Sequence, residues 1–166
     1  MMPGDQEPRL IRTLGSADLA AVLALNNAHA AEVNALTPAA LAALVDAAAY
    51  ACVVEGGLGF LIALDERAPA QGPNHAWFLA RYPAFLYIDR VVVAPQVRGR
   101  GYARRMYEAL GEPAGDRPLC CEVNLRPPNP DSLAFHERLG FVPCGEADDP
   151  RNGKRVRYLI RPAGTE

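Results

Sequence analysis

The sequence has little of what defines several large classes of protein. Lys154 is the only lysine and the formal net charge is −2, so the chain lacks the basic field that non-specific nucleic-acid binding requires. No apolar run approaches the roughly 18 residues of a membrane span. The polar residues 1–9, with two prolines, do not have the pattern of a signal peptide. We therefore expect a cytoplasmic protein without a nucleic-acid or membrane partner.

The cysteines lack the spacing of a metal site or a disulfide framework. They are Cys52, Cys120, Cys121 and Cys144, and no pair has the C-x-x-C spacing. Because Cys120 and Cys121 are adjacent, their side chains would point to opposite faces of a strand. We expect buried, reduced thiols, as in cytosolic proteins, and no metal ion.

What is present suits one globular core. The chain has 166 residues, of which 50% are hydrophobic and 22% charged. It contains no repeat and no low-complexity linker. We therefore predict a single domain over residues 1–166, with residues 1–8 as a flexible tail.

Hydrophobic spacing and turn residues predict alternating strands and helices. The predicted strands are 9–13, 51–55, 58–65, 85–93, 119–125, 141–144 and 155–160. Helices are predicted to follow Ser16 as an N-cap, Thr37-Pro38, the glycines near residue 100, and Asn129-Pro130. Gly111 and Gly140 are predicted helix ends, and residues 67–82 a loop. A strand, a crossover helix and a strand over 85–125 predict a parallel pair, and 141–160 predicts an antiparallel hairpin. This order indicates a mixed α/β sheet rather than a doubly wound one.

The segment from Val91 to Ala103 carries the strongest chemical signal. A hydrophobic strand runs into a turn that contains Gly99 and Gly101, and the turn opens a predicted helix. The N–H groups and dipole of a helix start attract anions, and glycines let a phosphate approach the backbone. Arg98 and Arg100 add charge that suits phosphate. The segment predicts a pyrophosphate site; the alternative is a glycine-rich turn with solvated arginines.

Two common nucleotide motifs do not fit this turn. The dinucleotide fingerprint needs a third glycine where the chain has Arg104. The phosphate-loop pattern needs Gly-Lys-Ser/Thr, but Gly153-Lys154 is followed by Arg155. A nucleotide-binding or phosphotransfer function is therefore disfavoured.

Two segments together carry a known family pattern. Residues 98–103, R-G-R-G-Y-A, follow V-V-V-A-P and fit Gln/Arg-x-x-Gly-x-Gly/Ala at a helix start. Residues 129–132, N-P-D-S, and 135–141, F-H-E-R-L-G-F, fit a second segment. On these residues the chain resembles the GCN5-related N-acetyltransferase (GNAT) superfamily, over roughly residues 9–160.

The resemblance implies a mixed, mostly antiparallel central sheet with flanking helices, and acetyl-CoA as acyl donor without a metal. It also implies direct attack of an amine on the thioester. The strand residues Val91, Val92 and Val93 would line the pantetheine arm, with the Val93 amide on the thioester oxygen. The pyrophosphate would be surrounded by Arg98, Gly99, Arg100, Gly101, Tyr102 and Ala103. The other side of the arm would meet Asn129, Ser132 and His136.

His136 stands where family members often have the tyrosine that protonates the leaving thiolate. A thiol of this kind has a pKa of about 8.5, so a histidine is a plausible donor or relay. Ser132, one helical turn earlier, would orient it. The alternative is that His136 packs beside CoA and water protonates the thiolate.

Two carboxylates are candidates for the base that deprotonates the amine. Tyr87 and Asp89 share a strand face with Val91 and Val93, so both are expected to point toward the acceptor. Glu122 lies on the next strand. The base would be Asp89 or Glu122 acting through water; the alternative is an outward-facing or ion-paired carboxylate.

The acceptor is expected beside the first helices and the loop before the binding strand. Candidate acceptor-binding residues are Asn26, His29, Glu32, Trp77 and Tyr87. The alternative is that Asn26 and His29 cap neighbouring turns, since polar groups on an apolar face need partners. Trp77, with Phe78 and Tyr82, would form a lid, an aromatic wall, a satellite core or a dimer contact.

The leading functional hypothesis is therefore an N-acetyltransferase that moves an acetyl group from acetyl-CoA to a primary amine, with a small molecule favoured over a protein acceptor. The second hypothesis is a non-catalytic acetyl-CoA sensor, which the histidine at position 136 favours. A homodimer is expected from the resemblance alone.

Overall fold

The computed structural model describes residues 8–164, in which seven strands form one sheet; the predicted tail at 1–8 therefore lies, apart from Pro8, outside the described residues. The strands are β1 Ile11–Thr13, β2 Tyr50–Val54, β3 Gly59–Asp65, β4 Leu86–Val93, β5 Leu119–Arg126, β6 Val142–Asp148 and β7 Arg155–Arg161. Their order across the sheet is β1-β2-β3-β4-β5-β7-β6.

The pairing makes this a mixed sheet in which antiparallel ladders predominate. β4 and β5 are parallel, and their register joins Leu86 to Leu119 and Tyr87 to Cys120. The ladders β1–β2, β5–β7 and β6–β7 are antiparallel. The predicted parallel pair, the predicted C-terminal hairpin and the predicted fold class are all confirmed.

Seven α-helices connect the strands of residues 8–164. They are α1 Leu19–Ala28, α2 Ala30–Val33, α3 Pro38–Ala47, α4 Pro73–Leu79, α5 Tyr102–Glu108, α6 Gly111–Ala114 and α7 Pro130–Arg138. Two predicted helix starts are confirmed by their caps. The hydroxyl of Thr37 accepts the N–H of Ala40 at 3.1 Å, and Asn129 Oδ1 accepts the N–H of Ser132 at 3.2 Å.

Three local predictions were wrong. Ser16 is not an N-cap but begins a 3₁₀ turn, and the preceding Gly15 N–H donates to the Asp18 carboxylate at 2.8 Å. The supposed loop 67–82 contains α4, because a proline at a first helical position starts a helix as readily as it breaks one. Gly111 does not end a helix: α5 stops at Glu108, and Gly111 begins α6.

Contacts divide the chain into two compact units, and β3 and β4 each contribute residues to both. The first unit comprises, within the described residues, 8–46, 50–62 and 90–110, and its core includes Val22, Leu41, Phe60, Leu61, Ile62 and Met106. The second comprises 47–49, 63–89 and 111–164, and its core includes Leu64, Phe78, Phe85, Leu86, Leu119 and Leu159. The single domain stays a prediction.

The predicted burial of the thiols holds for three of the four cysteines. Cys52, Cys120 and Cys121 are buried free thiols, whereas Cys144 is a half-buried one. Within residues 8–164, every helix is too short or too polar to span a membrane.

Candidate active site

The glycine turn, residues 98–103, belongs to the first unit and is shaped by its backbone. Gly99 has a φ of +79° and Gly101 a φ of +82°, in the left-handed region that side chains disfavour. A Cβ placed on either glycine would meet no atom within 4 Å. The glycines are therefore required by conformation rather than by internal packing. They leave open space over the backbone where α5 begins.

The side chains of the turn divide into exposed arginines and a buried tyrosine. Arg98 and Arg100 are exposed, and Arg98 Nε donates to the Val93 carbonyl at 3.2 Å. Tyr102 is buried, and its hydroxyl accepts the N–H of Arg9 at 2.8 Å. A contact of Tyr102 with a phosphate would therefore come from its backbone N–H, like that of Ala103.

The strand before the turn alternates as the sequence predicts. Val92 is buried, whereas Val91 and Val93 are half-buried, so the latter two share the more open side of β4.

A second polar group, the Glu122 cluster, lies wholly in the second unit and consists of Glu122, Tyr87, Asn74 and Tyr158. The Tyr87 hydroxyl donates to Glu122 Oε2 at 2.7 Å. Asn74 Nδ2 donates to Glu122 Oε1 at 3.1 Å, and the Tyr158 hydroxyl donates to Asn74 Oδ1 at 2.8 Å. Each carboxylate oxygen of Glu122 thus receives a neutral donor from another side chain, and the backbone N–H of Glu122 also bonds to the carboxylate.

Burial raises the pKa of Glu122 to about 8. The hydrogen bonds from Tyr87 and Asn74 pull this pKa down, while the negative charge of Asp89 pushes it up. Burial, with the charge of Glu122, raises the pKa of Tyr87 well above its usual value. Tyr87 therefore stays protonated and remains a donor. Such a carboxylate can accept a proton near neutral pH, as a general base must.

His75 packs against the ring of Tyr87. Its ring stacks on Tyr87 with centroids 5.6 Å apart and planes at 18°. Nδ1 of His75 accepts the Gln71 N–H at 3.1 Å, and Nε2 lies 3.2 Å from the Asp65 carbonyl, so Nε2 carries the hydrogen. Burial lowers the pKa of His75, which keeps the ring neutral.

The expectation that Trp77 lies in an acceptor-binding loop is corrected. Trp77 is on α4, and its ring stacks on Tyr158 with centroids 4.1 Å apart and planes at 16°. The guanidinium carbon of Arg81 lies over the Trp77 ring, 4.1 Å from the ring centroid. Trp77 therefore belongs to an aromatic cluster of the second unit. This matches the satellite-core alternative.

Helix α7 carries Ser132 and His136, and Asn129 is its N-cap; all three residues are in the second unit. His136 is buried, and its Nδ1 lies 2.7 Å from the Ser132 carbonyl oxygen and 3.4 Å from the Ser132 hydroxyl. A carbonyl can only accept, so Nδ1 carries the hydrogen. Burial lowers the pKa of His136, which favours the neutral ring. This arrangement does not favour the predicted donation of a proton from His136.

The residues predicted on the first helices are engaged with their own unit. Asn26 is fully buried; its Nδ2 donates to the Asn34 carbonyl at 3.0 Å, and its Oδ1 accepts from Arg90 at 2.9 Å. We therefore correct its assignment as an acceptor ligand in favour of the other expectation, contacts to neighbouring turns. His29 Nδ1 lies 3.9 Å from the exposed Glu32 carboxylate.

The structure thus joins Tyr87 directly to Glu122 and places Asp89 close enough to perturb the Glu122 pKa. Sequence reasoning missed Asn74, Tyr158 and His75. The only local signal for two of them was Gly72-Pro73, which starts α4. Within residues 8–164, no group of three or more His, Cys, Asp or Glu side chains is placed to hold a metal ion.

Comparison with known proteins gives one family and many similar folds. The model of the family described as Acetyltransferase (GNAT) family matches residues 42–141, more than half of the chain. No curated protein sequence matches the chain.

Solved structures similar to the chain include a GNAT superfamily phosphinothricin acetyltransferase from Sinorhizobium meliloti in complex with AcCoA. Its TM-score is 0.70 and its identity 19%, with 95% of this chain and 90% of that one covered. The ribosomal-protein-S18-alanine N-acetyltransferase from Escherichia coli has a TM-score of 0.68 and 16% identity, with 95% and 96% covered. The NatC complex bound to Gag peptide and CoA has a TM-score of 0.69 and 16% identity, with 94% and 99% covered. At these identities the likeness establishes the fold.

Proposed function

The chain belongs to the acetyltransferase (GNAT) family, and we propose that it transfers an acetyl group from acetyl-CoA to a primary amine by direct attack on the thioester. The observation that carries the chemistry is Glu122, a carboxylate with two neutral donors and a pKa of about 8. The donor side is supported by the open glycine turn, where Gly99 and Gly101 keep side chains away from the backbone.

The glycine turn binds the pyrophosphate of acetyl-CoA in this proposal. The N–H groups of residues 99–103 face the phosphates, and the exposed Arg98 and Arg100 add positive charge. Val91 and Val93 provide backbone groups for the pantetheine arm, with the Val93 N–H on the thioester oxygen, and Val92 anchors the strand in the core. The arm also meets the α7 N-cap Asn129 and, on α7, Ser132 and His136.

Glu122 is the proposed general base. Glu122 first takes a proton from the ammonium form of the acceptor. The neutral nitrogen then attacks the carbonyl carbon, the C–S bond breaks, and the second proton lost by the nitrogen passes through water to the departing thiolate. A base with a pKa near the working pH combines sufficient ionised form with sufficient driving force. Asp89 is the neighbouring carboxylate that raises the Glu122 pKa rather than the base itself.

Water protonates the departing thiolate in this proposal, and His136 lines the site as a neutral ring. The Nδ1 hydrogen of His136 is directed to the Ser132 carbonyl, and the lowered pKa leaves little imidazolium at pH 7. A thiol of pKa about 8.5 needs little help to leave.

The proposed acceptor is a small primary amine that is cationic in solution, because Asp89 and the ionised form of Glu122 attract positive charge. Tyr87 affects the acceptor only through its hydrogen bond to Glu122. The proposed acceptor contacts on the first helices are the half-buried His29 and the exposed Glu32. We further propose a cytoplasmic location, in keeping with four free thiols, and a homodimer.

The test is release of CoA thiol from acetyl-CoA over a panel of amines, with one arm of small polyamines and amino acids and another of peptides with free N-termini. We expect turnover in the small-amine arm that falls sharply in Glu122→Gln. Turnover of peptides alone would contradict the small acceptor. Turnover of neither arm would contradict the enzyme.

A non-catalytic acetyl-CoA sensor is the second candidate, because the Nδ1 proton of His136 is held by Ser132 and so is withheld from a leaving thiolate. Calorimetric binding of acetyl-CoA combined with no thiol release for any amine would favour the sensor.

A further inference from the structure

We propose that Asn74 and Tyr158 are positioning residues for the proposed base: Tyr158 fixes the orientation of the Asn74 amide, and that amide holds the Glu122 carboxylate in the orientation in which it takes a proton. The proposal rests on Glu122 being the base of the acetyl transfer. It assigns a role to two residues that local sequence patterns do not connect with the site.

The amide of Asn74 must present its nitrogen to Glu122. The ionised carboxylate, which is the form that acts as base, can only accept hydrogen bonds, so an amide oxygen turned toward it would be repelled. The Tyr158 hydroxyl occupies the amide oxygen at 2.8 Å, and this bond is buried. The amide nitrogen is thereby directed at Glu122 Oε1, 3.1 Å away.

Tyr158 is itself held by packing that local sequence patterns do not reveal. Its ring is 2% exposed and stacks on Trp77. Gly145 is the register partner of Tyr158 at an irregularity of the β6–β7 ladder. A Cβ on Gly145 would lie 2.9 Å from Trp77 Cη2, so the indole needs a glycine there. The glycine makes room for the indole, and the indole fixes the phenol.

Three donors reach the carboxylate of Glu122 and still leave one of its oxygens with a further lone pair. Tyr87 bonds to Oε2 and Asn74 to Oε1, which fixes the plane of the carboxylate, and the backbone N–H of Glu122 itself adds a third bond to one of the two oxygens. A proton can then arrive on the other oxygen without breaking these hydrogen bonds. A single donor would leave the carboxylate free to turn.

Several charged or titratable groups face Glu122 from the surrounding elements. Tyr87 and Asp89 on β4 act on the Glu122 pKa. The charge of Glu122 in turn acts on Cys120 and Cys121 on β5, on Tyr158 on β7 and on Arg151 in the β6–β7 loop. The bond from Asn74 lowers the Glu122 pKa. Removing the Tyr158 hydroxyl, which orients the Asn74 amide, should therefore raise the Glu122 pKa. If Tyr158 had a purely structural role, the Glu122 pKa would not change.

The test is the pKa of the Glu122 carboxyl group, followed through the ¹³C NMR shift of its carboxyl carbon in the protein without acetyl-CoA. We expect Tyr158→Phe, which keeps the stacked ring, to raise the pKa by about 0.5 to 1 unit, and Asn74→Ala to raise it at least as much. The low-pH limb of kcat/KM should move by the same amount. Tyr82→Phe is the matched control. The Tyr82 ring contacts Phe78, which also contacts Tyr158, but the Tyr82 hydroxyl bonds to Cys144. This variant should leave the Glu122 pKa unchanged.

An unchanged Glu122 pKa in Tyr158→Phe, in a protein with native chemical shifts elsewhere, would overturn the proposal. If Tyr158→Phe does not fold, an unchanged pKa in Asn74→Ala overturns it equally. The NMR titration requires no turnover. A failure of Glu122 as base would therefore appear separately, as full activity of Glu122→Gln with the shifts intact.

Discussion

The glycine turn and the Glu122 cluster carry different parts of the proposed reaction and are built in different ways. The turn is a backbone structure in which the decisive features, two left-handed glycines and a helix start, fall within six consecutive residues. The cluster is a side-chain structure whose hydrogen bonds join residues 35, 48 and 84 positions apart. Changes in the turn should therefore alter the affinity for acetyl-CoA, and changes in the cluster should alter the proton transfer.

The largest effect is expected from removing the base. Glu122→Gln keeps the shape and can still hydrogen bond, but it cannot take a proton. We expect kcat/KM to fall by about 10²- to 10⁴-fold, the usual contribution of general base catalysis. The Kd for acetyl-CoA, measured by calorimetry, should stay within about twofold, since the turn is untouched.

The matched control is Glu137→Gln, which neutralises an exposed glutamate on α7. It should retain activity. If Glu122→Gln also retained activity, or if it lost acetyl-CoA binding in proportion to kcat/KM, the division between cluster and turn would be wrong.

The next largest effect is expected in the glycine turn, where a substitution should weaken acetyl-CoA binding and leave the proton transfer unchanged. Gly101→Ala introduces a side chain at a φ of +82°, at a cost of about 1–2 kcal/mol, and places a methyl group in the open space over the turn. We expect acetyl-CoA to bind about tenfold more weakly, with Gly99→Ala similar. The pH dependence of kcat/KM should not move.

Gly115→Ala separates strain from cofactor contact. Gly115 also has a positive φ, +58°, with nothing within 4 Å of a Cβ, but it lies outside the turn. The Gly115→Ala variant should have a lower free energy of unfolding and an unchanged affinity for acetyl-CoA. Equal loss of acetyl-CoA affinity in Gly115→Ala and Gly101→Ala would mean that the turn acts only through folding.

The third prediction concerns the pH profile. The base must be ionised, so kcat/KM should rise with pH through the Glu122 pKa of about 8. Tyr87→Phe removes a bond that lowers this pKa, so the limb should move up by about one unit. Asp89→Asn removes a charge that raises it, so the limb should move down. Shifts of the same sign in the two variants would contradict the assignment.

The smallest effect is expected at His136. Because the neutral ring directs its Nδ1 hydrogen to the Ser132 carbonyl, His136→Phe should change kcat by less than about threefold. A loss of more than tenfold, with the acetyl-CoA affinity unchanged, would instead make His136 the acid.

The same contrast explains how much the sequence could predict. The turn and the caps of Thr37 and Asn129 were predictable, because each depends on residues at most three or four positions away. Glu122 was found as a candidate because it lies on the strand next to β4. Asn74 was missed because a glycine and a proline before it indicate a loop as readily as a seven-residue helix.

Other residues were misplaced because distant partners decide their role. Asn26 sits on an apolar helix face, and only the fold brings Arg90, 64 positions away, to its amide. Trp77 was predicted in a loop, but its ring packs against Tyr158 and Gly145, which lie on the last two strands. Pairings of this range depend on strand register, which a local pattern does not contain.

The central claim is that Glu122 takes the proton in an acetyl transfer. The most direct test compares the pH dependence of kcat/KM in the wild type and in Glu122→Gln, with the amine of the panel that turns over fastest. We predict a limb near pH 8 in the wild type and a residual rate without that limb in the variant. The same limb in Glu122→Gln would contradict the account.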